Sequence, residues 1–193
     1  MLRADADSWN VRDRHMVETL EALMAHHGPD AKAIVWEHNT HIGDARATDM
    51  AAAGMVNVGQ LTRERYGRDD VVAVGFGSHR GSVIAGRYWG ADFERMPVPP
   101  AHAGSWEDVL HTALAGDGLL LTADLSDAAE ERRGHRGIGV VYDPGAERLS
   151  NYVPTRLKAR YDAFVFLDAT QALHPLRPDV EDERPPDLVP WGV

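Results

Sequence analysis

Apolar residues between positions 10 and 27 recur every three or four residues, which is the spacing of one helix face. The apolar stripe consists of Met16, Leu20, Leu23 and Met24. Gly28 and Pro29 follow it and favour the end of a helix. A second helix is predicted at residues 57–66, between a possible N-cap at Asn57 and a terminating Gly67. Further helical segments are expected at residues 46–53 and 105–116.

Short apolar runs between these helices have the length of strands. We expect strands at residues 33–36, 71–76, 82–86, 119–122, 137–142 and 163–168. The run at 71–76 is apolar throughout, which is typical of a strand buried on both faces. Residues 77–81 are expected to form a turn, and the prolines in 96–100 predict an irregular connection. The alternation of helices and strands predicts an α/β fold with a mostly parallel sheet flanked by helices.

Length and composition limit the classes of protein that need to be considered. The 193 residues suit a single domain, expected at residues 1–175, and the proline- and acid-rich residues 176–193 are expected to be a loosely ordered tail. A formal net charge of −10 argues against a nucleic-acid partner. We expect a cytoplasmic protein without a membrane partner, because no apolar run is long enough to span a bilayer and no signal peptide is recognisable. Cysteine is absent, which excludes thiol nucleophiles and thiolate metal sites.

The strongest candidate for chemistry is the polar run that directly follows the expected strand at 33–36. It contains Glu37, His38, Asn39, His41 and Asp44. Loops after the carboxyl ends of strands collect ligands and catalytic groups in α/β sheets. Neutral imidazole accepts a proton near pH 7, and neighbouring carboxylates can orient the ring. We therefore interpret this run as an acid–base site, against the alternative that the histidines only satisfy hydrogen bonds at a strand end.

Metal binding is a second interpretation of the same run. His38, His41 and Asp44 carry donor atoms that suit zinc or iron. The established helical zinc pattern places its histidines four residues apart, whereas these two are three apart. We therefore expect no metal and no other cofactor, and keep a metal or haem protein as an alternative.

Two other segments have weaker functional patterns. Arg12 lies near the start of the first helix and either forms a surface salt bridge or binds a carboxylate or an oxyanion. The glycines at 75–81 fit neither the dinucleotide nor the Walker spacing. No G-x-S-x-G elbow is present, which argues against a conventional serine hydrolase.

Several of these segments together resemble the erythromycin esterase family. Residues 10–16 resemble its NxRDxxM segment, and residues 36–44 resemble its WEHNxHxGD segment. Further similar segments follow in the same order, at residues 57–61, 66–67, 136–142, 151–152 and 161–162. The resemblance extends to about Pro175. It implies an α/β hydrolase fold, and His38 and His41 match the paired active-site histidines of the family.

The characterised members of that family open the lactone of macrolides such as erythromycin, and so confer antibiotic resistance, with an activated water and no required metal. The resemblance therefore implies a small-molecule ester or lactone as substrate, with Arg12 and Glu37 near the pocket. The family also carries a Gly-Glu-x-x-His-Gly segment in its N-terminal half, with the histidine taken as the base, and nothing like it occurs here. Losing a general base removes a factor of about 10² to 10⁴ in rate.

We expect this chain to correspond to the C-terminal part of such a hydrolase. The missing half is then supplied by a second polypeptide, or the chain is truncated, or hydrolysis has been lost. In the expected reaction His38 or His41 moves protons or polarises the carbonyl, Arg12 stabilises negative charge, and Glu37 and Asp44 orient the imidazoles. The alternative from another class is a catalytically silent fragment that binds a small molecule or a partner. This alternative predicts an exposed apolar surface.

Overall fold

The computed structural model describes residues 6–174, so the tail expected at 176–193 lies outside the described residues. The helices are α1 Ala6–His27, α2 Asn39–Ile42, α3 Val58–Tyr66, α4 Trp106–Ala113, α5 Glu147–Ser150 and α6 Leu157–Arg160. The strands are β1 Val74–Gly86, β2 Phe93–Val98, β3 Gly118–Leu121, β4 Arg132–Arg136, β5 Tyr152–Arg156 and β6 Ala163–Thr170. Within residues 6–174, none of the helices combines the length and the apolar character needed to cross a bilayer.

The main sheet confirms the α/β class, but its strand directions are mixed. Within the described residues it has four strands in the order β2-β1-β6-β3, and β4 and β5 form a separate antiparallel pair. Only the central β1–β6 pairing of the main sheet is parallel, because β2 and β3 both join it antiparallel. The expectation of a mostly parallel sheet is therefore wrong for this part of the chain. β1 continues almost directly into β2, and such a short connection joins antiparallel neighbours.

One face of this sheet carries the main hydrophobic core. Phe164 and Phe166 of β6 point into it and pack with Trp106 and Leu110 of α4 and with Tyr161. Gly75 and Gly77 of β1 lie on the same face, where a Cβ atom would collide with the rings of Tyr161 and Phe164. Because these two residues have no side chain, the rings of Tyr161 and Phe164 can lie directly against β1. The same rings pack with α4 on this face of the sheet.

The opposite face of the sheet is bare. Val74 and Phe76 of β1 are exposed, although an apolar run at 71–76 predicts burial on both faces. In register with them across β6 lie Leu121 and Leu119 of β3, which are also exposed. The prediction of two-sided burial is wrong here because no described element packs on this face.

Two of the expected connections are parts of strands. Residues 77–81 continue β1 without a turn, and at Gly81 the strand leaves β6 and pairs with β2. Gly81 has φ +139°, and a Cβ there would meet the carbonyl oxygen of Thr170, so only glycine permits this change of partner. Pro97 lies inside β2, which tolerates it because β2 is an edge strand and needs hydrogen bonds on one side only.

Two expected strands are not strands. Residues 33–36 have no regular secondary structure and no backbone–backbone hydrogen bond within the described part of the chain. Residues 137–142 form only an isolated parallel bridge, between Val141 and Gly86, and the glycines at 137 and 139 precede it. In both cases the apolar pattern is present and the neighbouring strand is not.

The helix predictions are confirmed more closely. α1 covers residues 10–27 and begins four residues earlier, while α3 has Asn57 as its N-cap and Gly67 after its last turn. Residues 46–53 form two 3-10 turns, Ala45–Ala47 and Ala51–Ala53. A Cβ on Gly59 would lie 2.1 Å from the Ile42 carbonyl oxygen, so α3 packs directly against α2. This close packing positions the polar run identified in the sequence.

Candidate active site

The polar run forms α2 and the residues on both sides of it, and amide side chains hold it in place. The side-chain amide of Asn39 makes two hydrogen bonds to the backbone of Phe76 in β1, as a neighbouring strand would. Its Nδ2 donates to the Phe76 carbonyl, and its Oδ1 accepts from the Phe76 N–H. Asn57 donates from Nδ2 to the carbonyls of Thr40 and Gly43. Arg160 donates to the Asn39 carbonyl at 3.0 Å. The run is therefore fixed to β1 through the Asn39 side chain, and to Asn57 and α6 through its own backbone carbonyls.

His41 forms an acid–base pair with Asp13 of α1. The two meet at 2.9 Å between His41 Nδ1 and Asp13 Oδ2, and Asp13 is fully buried. The same carboxylate oxygen accepts the Val58 N–H at 3.2 Å. Trp9 stacks on the imidazole with the ring centres 4.5 Å apart. Because a carboxylate accepts, Nδ1 of His41 carries a proton, which leaves Nε2 as the basic nitrogen of the neutral ring.

Arg12 lies at the open side of this pair. Its Nη2 is 3.4 Å from His41 Nε2, and its guanidinium lies over the Trp9 ring at 4.8 Å from the ring centre. The side chain is 57% exposed. The sequence pattern also allowed Arg12 to form only a surface salt bridge. Its ion pair with Asp13 is weak, because the distance from Arg12 Nε to the Asp13 carboxylate is 3.9 Å. Arg12 thus has donors available for a ligand beside the imidazole.

Glu37 contributes a second carboxyl group with an altered proton affinity. Burial raises the pKa of Glu37, and the Asp13 charge acts in the same direction, while His41 and Arg12 oppose the shift. Its Oε2 is buried without a hydrogen-bond partner among the described residues. A carboxyl group with a raised pKa and a free oxygen holds a proton at a higher pH than an ordinary glutamate does.

His38 differs from His41, because both of its ring nitrogens already have protein partners. Nε2 donates to the Ile138 carbonyl at 3.0 Å, and Nδ1 accepts from the Thr40 hydroxyl at 2.9 Å. Burial lowers the pKa of His38, which keeps it neutral at pH 7. In this arrangement His38 is the N-cap of α2 and joins it to residue 138. Its catalytic role stays a prediction, and the geometry places His41 ahead of it.

Asp44 does not orient either imidazole, which corrects the expected role. Its carboxylate binds Arg46 at 2.8 Å and the buried Arg63 at 3.2 Å. Burial alone raises the pKa of Asp44, but the hydrogen bonds from the two arginines outweigh burial and lower it. Asp44 therefore anchors the segment after α2, and the orienting role expected of it belongs to Asp13.

The arrangement does not favour the metal alternative. Both ring nitrogens of His38 are hydrogen-bonded to protein groups, the Thr40 hydroxyl and the Ile138 carbonyl, so this histidine has no free nitrogen for a metal. Among residues 6–174, no group of three or more His, Asp or Glu side chains converges in the geometry of a metal site. The observed contacts instead fit proton transfer and binding of a negatively charged group.

A buried polar network supports α2 from below. His135 Nδ1 contacts Glu107, and its Nε2 lies 3.1 Å from the Tyr161 hydroxyl and 3.4 Å from Asn39 Nδ2. Burial raises the pKa of Tyr161 to about 12, so its hydroxyl is protonated and available as a donor. His135 thus connects Asn39 at the start of α2 with Glu107 in α4.

Sequence reasoning did not name Asp13 or Trp9 as site residues. The residues near His41 that it did name are Arg12, Glu37, His38 and Asn39. The pattern around Asp13 explains it only as an acid in the first turns of a helix. Its position three residues before Met16 in the NxRDxxM segment was the available signal. Trp9, which stacks on His41, has no sequence signal apart from its neighbours.

Comparisons with known proteins concern the family and the fold of this chain. The family described as erythromycin esterase matches residues 1–170. A crystal structure of a Bacillus cereus protein matches with a TM-score of 0.71 and 18% identity, over 89% of this chain and 41% of that one. A succinoglycan biosynthesis protein matches with a TM-score of 0.67 and 20% identity, over 88% and 41%. A mutant of the erythromycin esterase EreC in its open conformation matches with a TM-score of 0.58 and 21% identity, over 83% and 37%.

These structures share the fold of the chain, and the chain spans about two fifths of their length. The family match covers all the residues assembled around His41, including Arg12, Asp13 and Glu37. The chain belongs to the erythromycin esterase family.

Proposed function

We propose that this chain carries the His41 part of a hydrolase site that opens an ester or a lactone with water. The observation that carries the proposal is the Asp13–His41–Arg12 arrangement, in which a buried carboxylate orients an imidazole beside an exposed guanidinium. Orientation by a buried carboxylate is what makes a histidine an efficient general base. The proposed substrate is a small-molecule ester or lactone, such as a macrolide. A role in antibiotic resistance and a cytoplasmic location are parts of the same proposal.

The proposed reaction begins when water attacks the acyl carbon and its proton passes to His41 Nε2. The carbonyl oxygen becomes negative and faces Arg12, whose exposed donors stabilise it. The carbon–oxygen bond to the alcohol then breaks, and the imidazolium returns the proton to the departing oxygen. Glu37, with its raised pKa, is the second group able to hold a proton in this site.

The bare face of the sheet supports a further proposal, that additional protein completes the site. Exposed apolar side chains lie along a groove of about 1460 Å³. They include Ile34 and Trp36, which are 94% and 84% exposed, together with Val72, Val74 and Phe76. Glu37 and His38 lie at the rim of the same groove. We infer that a second polypeptide, equivalent to the part of the family with the Gly-Glu-x-x-His-Gly segment, covers this face.

The test is an esterase assay on p-nitrophenyl esters and a macrolactone, with the chain by itself and with that second polypeptide added. We expect Asp13→Asn and His41→Ala to lower kcat/KM by about 10² or more, since each removes the oriented base. His26→Ala is the matched control, because His26 lies at the far end of α1.

Full activity in the His41→Ala variant would rule out the proposed role of this histidine. If no turnover occurs either with the chain by itself or with the second polypeptide added, the result would favour a catalytically silent binding fragment instead. Circular dichroism of each variant separates a loss of chemistry from a loss of folding.

A further inference from the structure

A second cavity, of about 530 Å³, lies away from His41, between the β4–β5 pair and the loop that precedes α4. Its walls include His102, Ser105, Arg132, Arg133, Arg148 and Tyr152. None of these residues touches the Asp13–His41 pair in the contacts described for either group. The cavity therefore has its own chemistry.

Three guanidinium groups surround this cavity in a protein whose formal net charge is −10. Arg133 is paired, with Glu131 at 2.6 Å, and lies over the Trp106 ring. Arg132 and Arg148 are exposed and have no carboxylate partner among the described residues. The strand register also places Arg156 directly opposite Arg132, and like charges at such positions repel each other. Within the described residues, the charges of Arg132 and Arg148 on this wall are therefore not neutralised by a paired carboxylate.

The floor of the cavity is held in a defined shape. Gly134 leaves room there, since a Cβ at this position would lie 3.2 Å from the Tyr152 ring. The Tyr152 hydroxyl accepts the His102 N–H at 2.9 Å, and Arg136 lies over the Tyr152 ring at 5.5 Å. Arg136 is itself fixed by the buried Glu147, the residue next to Arg148. The ring that forms the floor is thus anchored from both sides before any ligand arrives.

Acidic groups nearby do not fill the cavity. Asp108 is occupied by the Gly104 N–H at 2.8 Å. Glu131 is mostly exposed and pairs only with Arg133, and an exposed pair of this kind contributes at most about 1 kcal/mol. An incoming anion can therefore compete with Glu131 for Arg133 at low cost.

We propose that this cavity binds the anionic group of a small molecule, a phosphate or a carboxylate, through Arg132 and Arg148. A guanidinium group presents parallel N–H donors that form paired hydrogen bonds with two oxygens of either anion. The volume leaves room for more than one such group or for an attached organic part. The proposal is independent of ester hydrolysis, because its residues are separate from those around His41.

The test measures binding of inorganic phosphate and of citrate by isothermal titration calorimetry, with ionic strength held constant by sodium chloride. We expect millimolar or tighter binding of at least one anion, and about tenfold weaker binding in Arg132→Gln and in Arg148→Gln. The more tightly bound anion identifies whether the natural group is a phosphate or a carboxylate. Arg14→Gln, which removes an exposed arginine of α1, is the control and should bind as the unaltered chain does.

Two outcomes would overturn the proposal. One is that neither anion binds the unaltered chain. The other is that Arg14→Gln weakens binding as much as the two cavity variants do, since the affinity then reflects net charge and not this cavity.

Discussion

At the residue scale, His38 and His41 illustrate how equal residue types acquire different chemistry from their partners. A sequence pattern treats the two histidines alike, three positions apart on one loop. The structure gives His41 a buried carboxylate at Nδ1 and the exposed Arg12 guanidinium at Nε2, whereas His38 has a carbonyl and a hydroxyl on its two nitrogens. The difference comes from α1 and from residue 138, which are distant in sequence, so no local pattern contains it.

The altered pKa of His38 predicts a specific loss of stability in acid. The folded protein keeps this ring neutral, because burial lowers its pKa, whereas the unfolded chain binds a proton below about pH 6.5. Unfolding therefore takes up a proton, and the free energy of unfolding falls as the pH decreases through that value. We expect His38→Gln, which keeps a donor but cannot titrate, to make the dependence of Tm on pH between 7.5 and 5.5 shallower. The measurement is thermal unfolding followed by circular dichroism.

The exposed His26 provides the comparison for this prediction, because it lies in the last turn of α1, away from α2 and residue 138. His26→Gln should leave the slope of Tm against pH unchanged. An equally steep slope in His38→Gln would show that other buried histidines, such as His135, account for the acid sensitivity.

At the element scale, helices were predictable and strand partners were not. Helix signals are local: the stripe of α1, the Asn57 cap and the Gly67 end of α3 need no distant partner. A strand is defined by its neighbour, so residues 33–36 and 137–142 carry the correct pattern without forming a ladder. The candidate site combines local and distant contributions. Its loop was predictable from residues 37–44, whereas the Asp13 partner of His41 comes from α1, which is distant in sequence.

The contact between α3 and α2 gives a prediction with an unusual sign. Alanine normally stabilises a helix relative to glycine by up to about 1 kcal/mol. At Gly59 the added Cβ would meet the Ile42 carbonyl at 2.1 Å, which forces α3 away from the loop that carries His41. We therefore expect Gly59→Ala to destabilise the protein by about 1–3 kcal/mol in urea unfolding.

A glycine in open space serves as the control for this substitution. Gly139→Ala adds the same methyl group where nothing lies within 4 Å and should change the free energy of unfolding by less than about 0.5 kcal/mol. A stabilised Gly59→Ala variant would mean that the two helices are not in close contact in solution.

At the scale of the whole molecule, the sheet has one packed face and one bare face, and Glu37 and His38 lie at the rim of the groove along the bare one. Helices normally cover both faces of an α/β sheet. Here Phe164 and Phe166 are fully buried on one side, whereas Phe76 and Val74 are exposed on the other. A contiguous apolar surface of this kind is typical of an interface with further protein. The sequence pattern did not predict it, because the apolar run at 71–76 indicates a strand buried on both faces, whereas Val74 and Phe76 are exposed.

Strand β3 offers a direct test, because its three consecutive leucines alternate between the two faces. Leu120 packs against the main core, while Leu119 and Leu121 are exposed on the bare face. We expect Leu120→Ala to cost about 2–4 kcal/mol in urea unfolding. Leu119→Lys and Leu121→Lys should each change the free energy of unfolding by less than about 0.5 kcal/mol, since the folded chain by itself leaves them in water. The same two variants should weaken the complex with the proposed second polypeptide, measured by sedimentation velocity.

Leu149→Lys is the matched control for the complex, because Leu149 is an exposed leucine on α5. It should affect neither the free energy of unfolding nor the association. If Leu119→Lys destabilises the isolated chain as strongly as Leu120→Ala does, then β3 is covered on both faces without any partner. The bare face, and with it the argument that further protein completes the His41 site, would then have to be abandoned.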